Sequence, residues 1–142
     1  MLSAKVDDTI TVAHQIDPAD VVAIRDAGFV TIINNRPEGE APDQPAGAEI
    51  RAQAEAAGLA YLELPVGRDG IGPELIEGFR AAMDEADGPV FAFCRTGTRS
   101  INLWALSQAR QRDAGELASL ASAAGYDLSG LTPTLRRLSE AG

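Results

Sequence analysis

Cys94 is the only cysteine of this 142-residue chain, and the residues around it are the ones best suited to chemistry. It ends an apolar run, Val90-Phe91-Ala92-Phe93, and is followed at once by Arg95-Thr96-Gly97-Thr98-Arg99-Ser100. Residues 101–110 then read as a helix. A thiol placed between a strand and a helix N-terminus faces unpaired backbone N–H donors and the positive end of the helix dipole. Both favour thiolate over thiol, and the thiolate is the nucleophile. The same N–H groups can cradle a tetrahedral oxyanion, and the Arg99 guanidinium can bind such an anion with two parallel hydrogen bonds. A free cysteine at a strand end is by default a small core hydrophobe. Six following residues too polar to continue a core override that default and make Cys94 a candidate nucleophile.

The elements that must position this loop can be read on either side of it. Residues 9–13 form a strand candidate. Asp17 and Pro18 then start a helix as N-cap and first helical residue, and Gly28 ends it. Residues 29–33 are β-branched and apolar, a buried strand. Residues 34–45 carry three prolines and read as a long loop, longer than the usual connection. An alanine-rich helix over 48–57 stops at Gly58. A strand over 59–66, a loop over 67–72, a helix over 73–86 and a turn at 87–89 lead to the strand that delivers Cys94. Further helices are expected over 113–123 and from Thr132 onward, with Trp104 in the core. Strands alternating with helices imply an α/β fold, a parallel-rich sheet of four to five strands flanked by helices. Ligands of such sheets sit at the carboxyl ends of the strands, where Cys94, the 34–40 loop and the 67–72 loop all fall.

Composition narrows the function further. The length suits one domain with one core, and 45% hydrophobic residues is ordinary for a globular chain. A single cysteine leaves no internal disulfide and no multi-cysteine zinc site, and suits a reducing compartment. The N-terminus lacks a signal-peptide layout and no apolar run is long enough to cross a membrane, so a cytoplasmic location is expected. A net charge of −9 argues against nucleic acid as partner, because phosphate contacts need a basic face. No cofactor is expected, and no His, Asp or Glu cluster has metal-ligand spacing. Arg36 either extends the anion site or pairs with Glu38 or Glu40. Arg95 steers substrate or points to solvent. Asn34 and Asn35 read as loop-fixing residues, and His14, the only histidine, as a loop-packing residue.

Three segments carry a resemblance: residues 28–40 with Asn34-Asn35-Arg36-Pro37, residues 58–66, and Cys94-Arg95-Thr96-Gly97-Thr98-Arg99-Ser100 followed by Asn102-Leu103-Trp104. The tail 124–131, with Gly125-Tyr126-Asp127, fits as well. Together they resemble the beta-lactamase hydrolase-like protein phosphatase-like domain family, a bacterial group related to dual-specificity and tyrosine phosphatases. The resemblance implies a tyrosine phosphatase-like fold and a cysteine-based phosphatase acting on a phosphorylated small molecule or phosphoprotein. Cys94 would attack phosphorus. Arg99 and the N–H groups of residues 95–99 would bind the equatorial oxygens, and Ser100 would hydrogen-bond the thiolate. The aspartate that protonates the leaving alcohol in tyrosine phosphatases has its match in Asp69; read without the resemblance, Asp69 is a turn residue before Gly70.

Two departures leave other chemistries open. Tyrosine phosphatases place five residues between the cysteine and the arginine, whereas four separate Cys94 from Arg99, and Phe93 stands where those enzymes usually have histidine. The shorter loop resembles that of rhodanese-type sulfurtransferases, whose cysteine carries a persulfide. A non-catalytic anion-binding module would use the same ring of donors without turnover.

Overall fold

The computed structural model describes residues 1–141. Five strands form one sheet in the order β1-β2-β5-β3-β4. They are β1 (Ser3–Asp7), β2 (Ile10–Ala13), β3 (Thr31–Asn34), β4 (Ala60–Glu63) and β5 (Val90–Phe93). β1 runs antiparallel to β2, and every other pairing is parallel. The helices are α1 (Val21–Asp26), preceded by a 3-10 turn at Pro18–Asp20, then α2 (Gly47–Ala56), α3 (Pro73–Glu85), α4 (Thr98–Gln108), α5 (Ala114–Ala123) and α6 (Thr132–Ala141).

Residue alternation along the strands divides the core in two. Phe91 and Phe93 of β5 face α1 and α2, packing with Ile24, Ile32 and Ile50. Val90 and Ala92 face the opposite way, toward α3 to α6, with Phe79, Leu103, Trp104 and Leu117. The loop after β3 leads to α2 on one face, and the loop after the adjacent β5 leads to α4 on the other. Two neighbouring strands whose connections part in this way open a crevice at their carboxyl ends. Cys94 lies at that crevice.

The expected α/β architecture is present, with three differences. The N-terminal strand β1 was not anticipated: four of its five residues are exposed or only partly covered edge positions, so it lacks an apolar stripe. A tight turn secures it instead, in which Asp7 Oδ1 accepts from Thr9 N (2.8 Å), Thr9 Oγ1 (2.6 Å) and Ile10 N (3.2 Å). The helix expected to run from Pro18 opens as a 3-10 turn, with Asp20 Oδ2 accepting from Asp17 N at 2.8 Å. Most consequential, α4 starts at Thr98 rather than Ile101. Arg99 and Ser100 therefore stand in the first helical turn, and the loop after Cys94 is only Arg95-Thr96-Gly97.

Candidate active site

β5 ends against backbone on both sides. Cys94 N donates to Ala13 O (3.3 Å) on β2, and Asn35 N, just past β3, donates to Phe93 O (2.8 Å). The thiol is fully buried within the described structure. Its Sγ accepts a hydrogen bond from Gly97 N at 3.1 Å. Gly97 has φ +88° and ψ −14° and acts as N-cap of α4 without any side-chain cap. The first intrahelical bond is Ile101 N to Gly97 O (3.0 Å), so the N–H groups of Thr98, Arg99 and Ser100 have no intrahelical acceptor. A nucleophile and a set of unspent donors thus share one helix start.

Arg99 is oriented from outside the loop. Its Nη1 and Nη2 each donate to Glu40 at 2.8 Å, and Nη1 also donates to Val66 O at 3.0 Å. A guanidinium has five N–H donors. Three are committed to these bonds, which leaves Nε–H and the second Nη2 hydrogen, adjacent along one edge of the plane. That edge matches two oxygens of a tetrahedral anion. The carboxylate of Glu40 and the Cys94 sulfur both raise the Arg99 pKa, the Glu40 hydrogen bonds most.

Glu40 takes a third donor, Arg36 Nε at 2.9 Å. The Arg99 hydrogen bonds, and then those of Arg36, hold the Glu40 carboxyl down to about 2. Arg36 also donates from Nη1 to Gln15 Oε1 (3.0 Å) and is only 7% exposed. Two of its five N–H donors are thus held by structure: the Glu40 pairing weighed from the sequence is present, while Glu38 instead accepts from Gly47 N at the start of α2.

Ser100 is buried, and its hydroxyl donates to Asn35 Oδ1 at 2.8 Å. The sequence expectation placed that proton on the Cys94 thiolate; here the single proton goes to the asparagine, and the hydrogen bond on sulfur comes from Gly97 N. Asn35 is itself a junction, donating from Nδ2 to Leu64 O (2.8 Å) and accepting on its carbonyl from Val66 N (2.9 Å). Asn34 Oδ1 accepts from Arg36 N (2.9 Å). Both asparagines fix loops, as their residue type suggested.

The remaining candidates lie at the rim. Arg95, Thr96 and Thr98 are exposed, with Thr96 Oγ1 and Thr98 Oγ1 3.1 Å apart. Asp69 is exposed in a turn closed by Gly70 N to Gly67 O (3.1 Å), and no hydrogen bond joins it to Cys94 or Arg99 among the described residues. It follows by three residues the Val66 carbonyl that Arg99 holds. Beside Arg99 opens an apolar groove of about 580 Å³ whose walls include Val66, Ile71, Leu106, Leu131 and Leu138. Among the described residues no three His, Cys, Asp or Glu side chains gather as a metal site, and no helix is long and apolar enough to cross a membrane.

Two contacts escaped sequence reasoning. Glu40 lies 59 residues from Arg99, and Tyr126, whose hydroxyl donates to Thr96 O at 2.8 Å, lies 30 residues from its acceptor. No periodicity links such pairs. The only sequence signals were the unusual length of the 34–45 loop and the tail that shared in the family resemblance.

An α/β sheet whose central strand ends in a cysteine at a donor-rich helix start is a protein tyrosine phosphatase-like fold. The chain belongs to the beta-lactamase hydrolase-like protein, phosphatase-like domain family, which it matches over residues 4–111. It is 36% identical over 143 residues to a beta-lactamase hydrolase-like protein of Agrobacterium fabrum, covering 99% of this chain and 33% of that protein. The chain thus spans about a third of the length of the curated relatives it matches. Among solved structures, a candidate phosphatase from Neisseria meningitidis Z2491 superposes with a TM-score of 0.82 at 34% identity, covering 95% of this chain and 96% of the other. Tk-PTP in its active form shares the fold, with a TM-score of 0.68 at 14% identity over 97% of this chain and 96% of the other.

Proposed function

We propose that this chain is a cysteine-dependent phosphatase that hydrolyses phosphate monoesters through a phosphocysteine intermediate. The observation that carries the reading is the donor arithmetic of Arg99: three of its bonds are fixed by Glu40 and Val66, and the free edge is left for an oxyanion beside Cys94.

In the first step the Cys94 thiolate attacks phosphorus while the bond from phosphorus to the ester oxygen breaks. Arg99 and the N–H groups of the loop and first helical turn take the charge that builds on the equatorial oxygens. The departing alcohol receives a proton from Asp69 once the 67–72 loop closes over the substrate. In the second step water attacks phosphorus, its proton returns to Asp69, the P–S bond breaks and orthophosphate leaves. The Gly97 N–H stabilises the departing thiolate, and Ser100 serves by tying the first turn of α4 to Asn35. The apolar groove beside Arg99 receives the carbon skeleton of the alcohol.

The four-residue spacing keeps one second reading, sulfur transfer through a Cys94 persulfide. A paired assay decides between them: hydrolysis of p-nitrophenyl phosphate beside thiosulfate-to-cyanide transfer, each with Cys94→Ser as control. The expected result is phosphate release that vanishes in the variant. Thiocyanate formation alone would establish the rival reading. Asp69→Asn is expected to slow alkyl phosphates more than p-nitrophenyl phosphate, whose leaving group needs little protonation.

A further inference from the structure

The Thr96–Gly97 peptide is held at both ends. Its carbonyl oxygen accepts from the Tyr126 hydroxyl at 2.8 Å, and its N–H donates to Cys94 Sγ at 3.1 Å. One planar unit therefore connects a side chain of the chain's tail to the proposed nucleophile. We infer that Tyr126 is a positioning residue of the active site, locking this peptide in the orientation that aims the Gly97 N–H at sulfur.

The lock has work to do because this peptide can turn over. The Gly97 dihedrals, φ +88° and ψ −14°, are those of the third residue of a type II turn. Rotating the central peptide of such a turn by half a revolution gives a type I turn, in which that residue has negative φ. Glycine accepts both signs. In the rotated state the N–H would point away from Cys94, and a carbonyl oxygen would face the thiolate. The Tyr126 hydroxyl opposes rotation by holding the carbonyl outward. It also withdraws electron density through the peptide, so the O–H···O=C–N–H···S chain polarises in one direction.

Space and charge agree with this assignment. A Cβ at Gly97 would overlap the Tyr126 hydroxyl, so the ring is packed directly on the loop. Burial first, and then the negative charge of Cys94, raise the Tyr126 pKa, which keeps the phenol protonated and able to donate.

The inference rests on the phosphatase reading only for its effect on turnover, and the test separates the two. Tyr126→Phe removes the hydroxyl and keeps the ring of a half-exposed side chain. Three quantities are compared with the parent protein: the Gly97 amide resonance and its hydrogen-exchange rate, the affinity for orthophosphate, and kcat against KM for p-nitrophenyl phosphate. Expected are a displaced, faster-exchanging Gly97 amide and orthophosphate binding weakened roughly three- to tenfold, the loss that goes with one neutral hydrogen bond. Turnover should show a larger fall in kcat than rise in KM, because the N–H matters most as negative charge returns to sulfur when the P–S bond breaks. An unchanged Gly97 amide with unchanged orthophosphate affinity would overturn the inference. The amide readout needs no substrate. It decides the role of Tyr126 even if the parent protein neither binds orthophosphate nor turns over the ester, a result that would overturn the phosphatase reading instead.

Discussion

Glu40 is the side chain that sets the direction of Arg99, and it does so from a loop that carries no secondary structure of its own. Glu40→Gln removes the charge from two short contacts and places an N–H₂ against a guanidinium. Orthophosphate affinity is expected to fall about tenfold, since charge-assisted pairs are the stronger hydrogen bonds; calorimetric titration measures it. The same carboxyl leaves a mark on stability. Its pKa is held down from 4.5 to about 2, so the unfolded chain binds this proton more readily than the folded one. Its contribution is full above about pH 4.5 and is lost as pH falls toward about 2. Urea midpoints recorded across that interval should decline less steeply in Glu40→Gln than in the parent protein. At this scale Cys94 and Arg99 were legible because their residue types and spacing announce a nucleophile and an anion ligand. Glu40 stood in the sequence only as a partner for Arg36, because its other bond depends on how a loop folds back.

Asn35 shows how the elements are joined around the site. It ties the end of β3 to β5 through Phe93 O, to the stretch after β4 through Leu64 O and Val66 N, and to α4 through Ser100. Asn35→Ala leaves the Ser100 hydroxyl and the Leu64 carbonyl without these partners in a buried setting. A loss of about 1–3 kcal/mol follows from unsatisfied buried polar groups, measurable by urea denaturation, and anion affinity should drop with it. The element pattern itself was mostly readable: β3 came from a β-branched apolar run, β4 from alternation, β5 from the apolar run that delivers Cys94, and α2 and α3 from their glycine and proline boundaries. The start of α4 was read three residues late. Thr98 and Ser100 are indifferent helix formers, and no capping side chain precedes them, so little that is local marks the true N-terminus. That small displacement matters, since it moves Arg99 from a loop into a helical turn.

At the scale of the molecule, one sheet separates two apolar layers of unequal size. Ile24 in the layer of α1 and α2 and Leu103 in the layer of α3 to α6 are at most 1% exposed. Ile24→Ala and Leu103→Ala are each expected to cost about 2–5 kcal/mol. Both should shift a single cooperative urea transition, because both layers share β5 and β3; two separate transitions would contradict a shared core. The α/β class and its parallel sheet followed from strand–helix alternation. The antiparallel β1 did not, because an edge strand that buries one residue, Val6, carries little hydrophobic signal. Arg112 ties this edge inward, donating to Asp7 (2.9 Å) at the β1–β2 turn and to Glu116 (2.6 Å) on α5, with its guanidinium over Trp104.

The contact between Gly97 and the Tyr126 oxygen makes sequence change at the two positions lopsided. A side chain at 97 faces two separate obstacles, the Tyr126 oxygen and a backbone φ of +88° that strains any L residue. A smaller residue at 126 lifts only the first, and it removes the hydrogen bond to Thr96 O as it does so. Descendants of this sequence can therefore lose the tyrosine at 126 and still be confined to glycine at 97. A library that randomises 97 should return glycine whether or not 126 is varied with it.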